Sequence, residues 1–443
     1  MTFDIKPTPR LPPELLDRIV DFADRSSATS CLLVSRHFHA CALRNIYQDC
    51  NVTLTDTGDN LKATYQRLFT DEVNPSLSGT GRFVRSLSLS FINNRRLHNP
   101  PIDEAALLPL LESFREMPRL ECLSLYGSMS RNPSRINTDW SQVPRSIQTA
   151  LLSILGVIST LFLGDIEHFP IHSLCDNTKL QDLRIYGCSG FPAMPVVAGV
   201  TTTTIPNLKH FSTADTLPLP KGLVPPTLRS ITTTSLSPDD CRVVWRDIKA
   251  ACQSLETFYV YDIEKGYLPN MPNSHMYPSI PADLKLNMFP NLASLTYSYN
   301  GGAWAERPDD VPLLRDVLGY FEVSEAVPRL ETIKLILTLD GGDSLNDDFW
   351  MERKDVLAND ISWSSLNRML TSGHFPRLQQ LDIDLKFNNS LFEELDWEVI
   401  HDAIGNRVGR RALEAKVRTT ILNHFVELQS ELVVVNVKLS TDF

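Results

Sequence analysis

The chain contains no apolar run of about eighteen residues, the minimum for a membrane-spanning helix, and its opening MTFDIKPTPR lacks the apolar segment of a secretory signal. Neither membrane insertion nor export is expected, and the sequons at Asn51 and Asn388 read as fortuitous. Cysteine is scattered. Residues 31, 41, 50, 122, 175, 188, 241 and 252 form no CxxC pair and no dense framework, which leaves reduced thiols within apolar patterns. A surplus of positive charge is also missing. With 42 Lys and Arg against 53 Asp and Glu the net charge is −11, and no basic stripe could track a phosphate backbone, so nucleic-acid binding is not expected. Absent too are the Walker loop, the GxSxG elbow, HExxH and the dinucleotide fingerprint. These absences describe a reduced intracellular protein, cytosolic or nuclear, with no catalytic motif and no expected metal or cofactor.

What is present is ordinary globular composition, 42% hydrophobic and 21% charged, spread over 443 residues. That length exceeds a single core and implies several domains or an elongated repeat architecture. The first fifty residues concentrate helix signals. In LPPELLDRIV (11–20), Leu15, Leu16, Ile19 and Val20, continued by Phe22 and Ala23, fall within about 160° of a helical wheel. Glu14, Asp17, Arg18, Asp21 and Asp24 fill the other side, and Pro12 and Pro13 suit the first turn, where a missing N–H costs nothing. A polar break, Arg25-Ser26-Ser27, follows, with Ser27 as the expected cap of the next helix. Further on, Leu32, Leu33, Val34, Phe38, Cys41, Ala42, Leu43 and Ile46 recur at helical spacing. Two or three short helices make a very small core that needs outside support. His37 and His39 form an HxH pair without further ligands nearby, so burial against another chain or the following domain remains.

Residues 11–50 resemble an F-box. The family's opening Leu-Pro-x-Glu with following aliphatics is matched by Leu11, Pro12, Glu14, Leu15, Leu16 and Ile19; its later Val-Ser-Arg-x-Phe/Trp landmark is matched by Leu32, Leu33, Val34, Ser35, Arg36 and Phe38. The family's frequent late Trp is replaced by Ile46-Tyr47. The resemblance implies a trihelical module that docks on the adaptor Skp1 and, through it, on a cullin–RING ubiquitin ligase. Leu11, Pro12, Leu15, Leu16, Ile19, Val20, Leu32 and Val34 are the expected docking residues, in keeping with a helix stripe that fits another protein's groove.

From residue 80 one phrase recurs. MPRLECLSL (117–125), IPNLKHFST (205–213), FPNLASLTY (289–297), VPRLETIKL (327–335) and FPRLQQLDI (375–383) share an apolar residue, Pro, Arg or Asn, Leu, two variable residues and another apolar position. With weaker copies included, the first aliphatic falls at Val84, Leu120, Ile158, Leu180, Leu208, Leu228, Leu255, Leu292, Leu330 and Leu378. Helix patterns precede the clear copies. Asp103–Met117 aligns Ala106, Leu107, Leu110, Leu111 and Phe114; helices are also expected after Ser237, over Pro312–Phe321 and over Ser365–Leu370. The proline stops each helix and a short Leu-x-x-Leu-x-Leu strand follows. Helix, proline and strand in repetition predict an α/β solenoid with one parallel sheet along its inner, concave face and helices and loops outside.

These lines resemble leucine-rich repeats of the irregular kind that follows an F-box, without a regular Asn-bearing consensus or a fixed repeat length. The expected organisation is therefore an F-box over residues 1–50, a linker with a first irregular repeat over 51–80, the solenoid over 81–390, and a helical C-terminal cap with a last strand over 391–443. Residues 264–288 and 300–312 read as Pro/Gly/Asn-rich loops and 340–350 as an acidic insert.

If the repeat aliphatics are buried, the alternate residues line the other sheet face, where a target protein would bind. Tyr126, Phe162, Arg184, Tyr186, Tyr259, Tyr261, Lys334, Asp382 and Asp384 are the expected contacts, since aromatic positions among polar ones are interface-like. Asp382 and Asp384 share one strand face, but on such a surface paired carboxylates are expected to recognise rather than catalyse. Asp165, Glu167, His168 and His172 form the nearest metal-like group, interrupted by Pro170, and read as a loop at a strand end. The implied function is substrate recognition for a Skp1–cullin–F-box ligase, without catalysis. Two alternatives remain: an interaction scaffold whose N-terminal helices cap its own repeats, and an unrecognised hydrolase.

Overall fold

The computed structural model describes residues 12–54, 58–69, 80–91, 102–117, 119–127, 138–192, 204–214, 222–235, 246, 248–262, 285–303, 318, 321–323, 325–340, 358, 361–388 and 407–442. It is an α/β structure built on parallel sheet, in two units, Met1–Val200 and Thr201–Phe443.

The first unit opens with three helices, α1 (Pro13–Asp21), α2 (Arg25–Cys31) and α3 (Arg36–Tyr47). Pro12 and Pro13 stand at the N-cap and first turn of α1, as their missing N–H groups dictate. The cap of α2 is Asp24 rather than Ser27. Its Oδ1 accepts the Ser27 N–H at 2.6 Å, because the helix starts at Arg25 and the polar break forms its first turn. Ser35 caps α3 through the Phe38 N–H. Val20, Cys41 and Ala42 form the module's core, with Cys31, Leu32, Phe38 and Ile46 packed around it. Asn45 Nδ2 donates to the Val20 and Ala23 carbonyls at 2.5 and 3.2 Å, tying α3 to the C-terminal end of α1, where the Val20 carbonyl also accepts the Ala23 N–H.

Strand β1 (Asp49–Thr53) follows α3 at once, so the sheet begins across the expected module boundary at residue 50. Then come α4 (Gly58–Phe69), β2 (Ser86–Ser90), α5 (Glu104–Arg115), β3 (Cys122–Tyr126), β4 (Thr138–Asp139), α6 (Arg145–Leu155), β5 (Thr160–Gly164), β6 (Ile166–Glu167) and β7 (Asp182–Tyr186). β1, β2, β3, β5 and β7 pair in parallel in that order, while β4 and β6 make a separate two-stranded sheet. Asp103 caps α5 by accepting the Ala106 N–H at 3.1 Å, and the five apolar positions aligned in the sequence are all buried. Leu87 and Leu89, Leu123 and Leu125, Leu161 and Leu163, and Leu183 and Ile185 are sealed, whereas the alternate residues of these strands, apart from Ser124 and Gly164, are partly or fully exposed. The helices therefore cover the leucine side, and each sealed side chain contributes about 1.5–3 kcal/mol of gross burial energy.

The second unit contains β8 (His210–Ala214), β9 (Ser230–Ser235), β10 (Thr257–Asp262), β11 (Ser294–Ala303), β12 (Thr332–Asp340), α7 (Ile361–Leu370), β13 (Gln380–Asn388), α8 (Arg407–Asn423), α9 (Val426–Ser430) and β14 (Val434–Asp442). Its strands also pair in parallel in sequence order. β11 runs through Asn300-Gly301-Gly302, where a loop was expected, and absorbs the glycines as a register shift between Asn300 and Ala303. The expected cap helix over 393–406 lies outside the described residues, as do the start of the helix expected after Ser237, most of 312–321 and most of the acidic insert. The final helical segment is two helices, α8 and α9, parted at His424 and Phe425. The His424 ring is held by Ser364 Oγ at 2.8 Å and the Ala358 carbonyl at 3.1 Å, and Phe425 packs edge-on against Trp363.

All ten marker aliphatics are buried, and in every case the strand begins two residues later. After eight of the ten markers, the carbonyl of the next residue accepts two N–H groups from the following repeat. Arg85 O receives Glu121 and Cys122, Glu121 O receives Ser159 and Thr160, and Ser159 O receives Gln181 and Asp182, at 2.8–3.1 Å. The second unit repeats this from Lys209 through Arg229, Glu256, Ala293 and Glu331. Asn177, buried just before marker Leu180, adds a side-chain link. Nδ2 donates to the carbonyls of Leu155 and Ile158, and Oδ1 accepts the N–H groups of Lys179 and Leu180. Its hydrogen-bonding capacity is used fully, without a repeated consensus.

Replacing Asn177 by Ala strands two carbonyls and two amides, and the expected loss is about 1–3 kcal/mol in urea unfolding. Asn177→Asp is expected not to restore stability, since a carboxylate cannot donate to the two carbonyls.

Candidate functional site

The N-terminal module separates its apolar residues into two sets. Val20 is fully buried in the module core, and Leu32 is half-buried against that core, so both support the fold rather than display themselves. Leu15 (46% exposed), Ile19 (53%) and Val34 (64%) are on the surface, with Pro12 also exposed. Leu11 lies outside the described residues, and the Leu16 side chain is likewise undescribed. Phe22 and Leu33, absent from the expected docking set, are the most exposed large apolar side chains among the module's described residues, at 89% and 92%. On the helical wheel Phe22 and Val20 are the two edges of the apolar stripe, about 160° apart, and the module's core covers only the Val20 edge. His37 and His39 have separate neighbours, Cys41 Sγ and the Leu32 carbonyl, and do not form a pair.

On the first sheet, the strand register places the face opposite the leucines in three rows. Asp49, Ser86, Cys122, Thr160 and Asp182 align; Asn51, Ser88, Ser124, Phe162 and Arg184 form the next row. Thr53, Ser90, Tyr126, Gly164 and Tyr186 form the third. Tyr126, Phe162 and Tyr186, half-buried, meet as one aromatic ladder, with centroids 4.8 Å apart and the rings tilted in the first pair, and 5.0 Å apart and stacked nearly parallel in the second. Gly164 makes the ladder possible, because a Cβ there would lie 3.1 Å from the Tyr126 ring and 3.2 Å from that of Phe162. Arg184 is forked to Asp182, with Nη2–Oδ2 at 2.9 Å and Nε–Oδ1 at 3.3 Å. The hydrogen bond from Arg184 to Asp182, ahead of an opposing burial effect, raises the guanidinium pKa above its ordinary value.

On the second sheet, Tyr259 is half-buried, and burial lifts its hydroxyl pKa against the opposing hydrogen bond with Ser298. The Tyr261 side chain lies outside the described residues. Lys334 is exposed and pairs in register with Asp382, which accepts Gln380 Nε2 at 2.7 Å and Asn436 Nδ2 at 2.9 Å. Asp384 shares that face but is buried, one row beyond. The carboxylates are thus built into a polar row, an arrangement suited to recognition.

The group Asp165, Glu167, His168 and His172 does not converge. Asp165 and His168 both adopt left-handed backbone (φ 53° and 56°), Glu167 accepts Ser189 Oγ in the β6 region, and His172 belongs to a 3-10 turn. His168 Nδ1 instead meets Asp139 Oδ1 at 3.0 Å, a partner 29 residues away with no local sequence signal. Among the described residues no group of three or more His, Cys, Asp or Glu could hold a metal, and no helix is long and apolar enough to cross a membrane. Burial raises the Asp139 carboxyl, but hydrogen bonds from Ser141 and His168 together outweigh it, so its pKa lies below the ordinary value.

Compared with known proteins, the chain matches no family model and no curated protein at a significant level.

Because the folded-state pKa of Asp139 is depressed, its contribution to stability is present above the unfolded carboxylate range and is lost as pH falls through the folded value. Asp139→Asn is expected to lower the melting temperature at about pH 6 and to leave it unchanged at about pH 2, as thermal unfolding at both pH values will show. Burial raises the Cys50 and Cys188 thiols to about 11 and about 12, so both are expected to resist alkylation at about pH 8, while half-buried Cys31 and Cys252 react. Mass mapping of modified peptides reads this difference.

Proposed function

We propose that this chain is a substrate-recognition subunit of a Skp1–cullin–F-box ubiquitin ligase. The three-helix module acts as the F-box that docks Skp1, and the repeats act as an irregular leucine-rich solenoid whose polar sheet face receives a target protein. The chain itself catalyses nothing; holding the target near the ligase's charged carrier raises the effective concentration of the reacting groups. The carrying observation is the apolar display of Leu15, Ile19, Phe22, Leu33 and Val34 on a module that already has its own core in Val20, Cys41 and Ala42. Such side chains, each worth about 1.5–3 kcal/mol when buried, fit the groove of a partner. The sequence resemblance over residues 11–50 names that partner as Skp1.

A second reading, a scaffold whose module caps its own repeats, draws on one contact. The Gln48 carbonyl at the end of α3 accepts the Arg85 and Ser86 N–H groups, which ties the module to the first strands.

Co-expression with Skp1 tests the proposal. The full chain is expected to co-purify with Skp1, and Leu15→Asp, Ile19→Asp is expected to abolish this with an unchanged melting temperature. The neighbouring Val20→Asp is expected to destabilise the module itself, since it places a charge in the core. No Skp1 binding by the wild type, or unfolding by the surface double variant, favours the scaffold.

A further inference from the structure

The aromatic ladder of the first sheet stands on a face otherwise made of small polar residues. Strand β2 contributes only Ser86, Ser88 and Ser90 to it, and the half-buried rings of Tyr126, Phe162 and Tyr186 rise beside that floor. Cross-strand aromatic pairs stabilise a sheet wherever they occur. Here, however, three strands deliver one ring each, and the sole glycine of these rows, Gly164, lets two of the rings close over it. The charge beside the ladder is already paired: Arg184, next to Phe162 in its row, is forked to Asp182, whereas Asp49 stands two strands and two rows from Tyr126. A phosphate would therefore have to displace an ion pair. A cation meets aromatic rings in the field of a chain with net charge −11.

Building on the reading that this polar face is where the target binds, we propose that the Tyr126–Phe162–Tyr186 ladder is a docking site for an unphosphorylated basic segment of the target protein, which lays an arginine side chain against the rings. The serine floor leaves room for the segment's backbone and supplies hydroxyl groups to it. Arginine fits better than lysine, because its planar guanidinium both stacks on an aromatic ring and attracts its π electrons.

The probe is a dodecapeptide repeating Gly-Arg-Ser, titrated into the full chain by fluorescence anisotropy, beside the same peptide with Glu for Arg and the same peptide with every serine phosphorylated. The arginine peptide is expected to bind, and Tyr126→Ala, Tyr186→Ala to weaken it by about ten-fold while the chain stays folded at the assay temperature by circular dichroism, its melting temperature lowered by loss of the two ring pairs. Tyr126→Phe, Tyr186→Phe keeps the rings and is expected to keep most of the affinity. The control Tyr65→Ala, on α4 and away from the sheet face, is expected to bind as the wild type does. Equal affinity of the wild type and the alanine double variant, no binding of the arginine peptide, or tighter binding of the phosphorylated peptide would each overturn the proposal. Skp1 association measured on the same variants separates the two readings. Peptide binding without Skp1 association removes the ligase and leaves the docking site, whereas Skp1 association without peptide binding does the reverse.

Discussion

A single carbonyl oxygen, that of the residue after the buried marker aliphatic, sets strand register along both units. In eight of the ten repeats it accepts two N–H groups from the following repeat, so the next strand starts in the same register as the last. The marker side chain lies beside it in the core, and the alternating leucines two and four residues into the strand are then bound to fall on the same side. A slip of one residue would turn the leucines to solvent and the serines inward, which burial energy of this size forbids. Repeats that range widely in length can therefore share one architecture, because only the short stretch around the marker must be constant.

That economy leaves the opposite face free to vary. On the first sheet it carries serines, one forked Arg–Asp pair and the aromatic ladder; on the second it carries Tyr259, Lys334 and a carboxylate held by two amides. The strand register is set by the buried side, not by these groups, and their chemistry is more diverse than that of the mostly apolar positions behind them. The N-terminal module shows the same division at smaller scale, with Val20 inward and Ile19, its neighbour in sequence, outward. In both places the surface proposed to bind is the one released from the work of folding.

Where the structure departs from sequence expectation, the reasons are local. Asp24 takes the cap from Ser27 because the helix begins three residues earlier, and β11 runs through a glycine pair because its neighbour β12 offers pairing that long. The break between α8 and α9 follows from His424, which packs against the region of Ala358 and Ser364, some sixty residues away in the chain. No local propensity encodes that contact.

The sequence by itself determined the elements and their order. Marker aliphatics, the helix face of α5, the proline starts and the alternation of each strand are patterns within about twenty residues, the range over which helix and strand periods are written. It also determined which residues leave the core on the sheet, since alternation assigns Tyr126, Phe162, Arg184, Tyr186, Lys334, Asp382 and Asp384 to the polar side. Only the tertiary structure decided which of them meet. Tyr126, Phe162 and Tyr186 lie tens of residues apart and become neighbours through strand register and the space at Gly164; Asp139 finds His168 through loops that the small second sheet draws together. Likewise, only packing decided that Val20 seals a core while Phe22 and Leu33 face outward. Periodicity states that a residue is apolar and on which side of its own helix it stands, but the partner that covers that side is chosen by the rest of the fold.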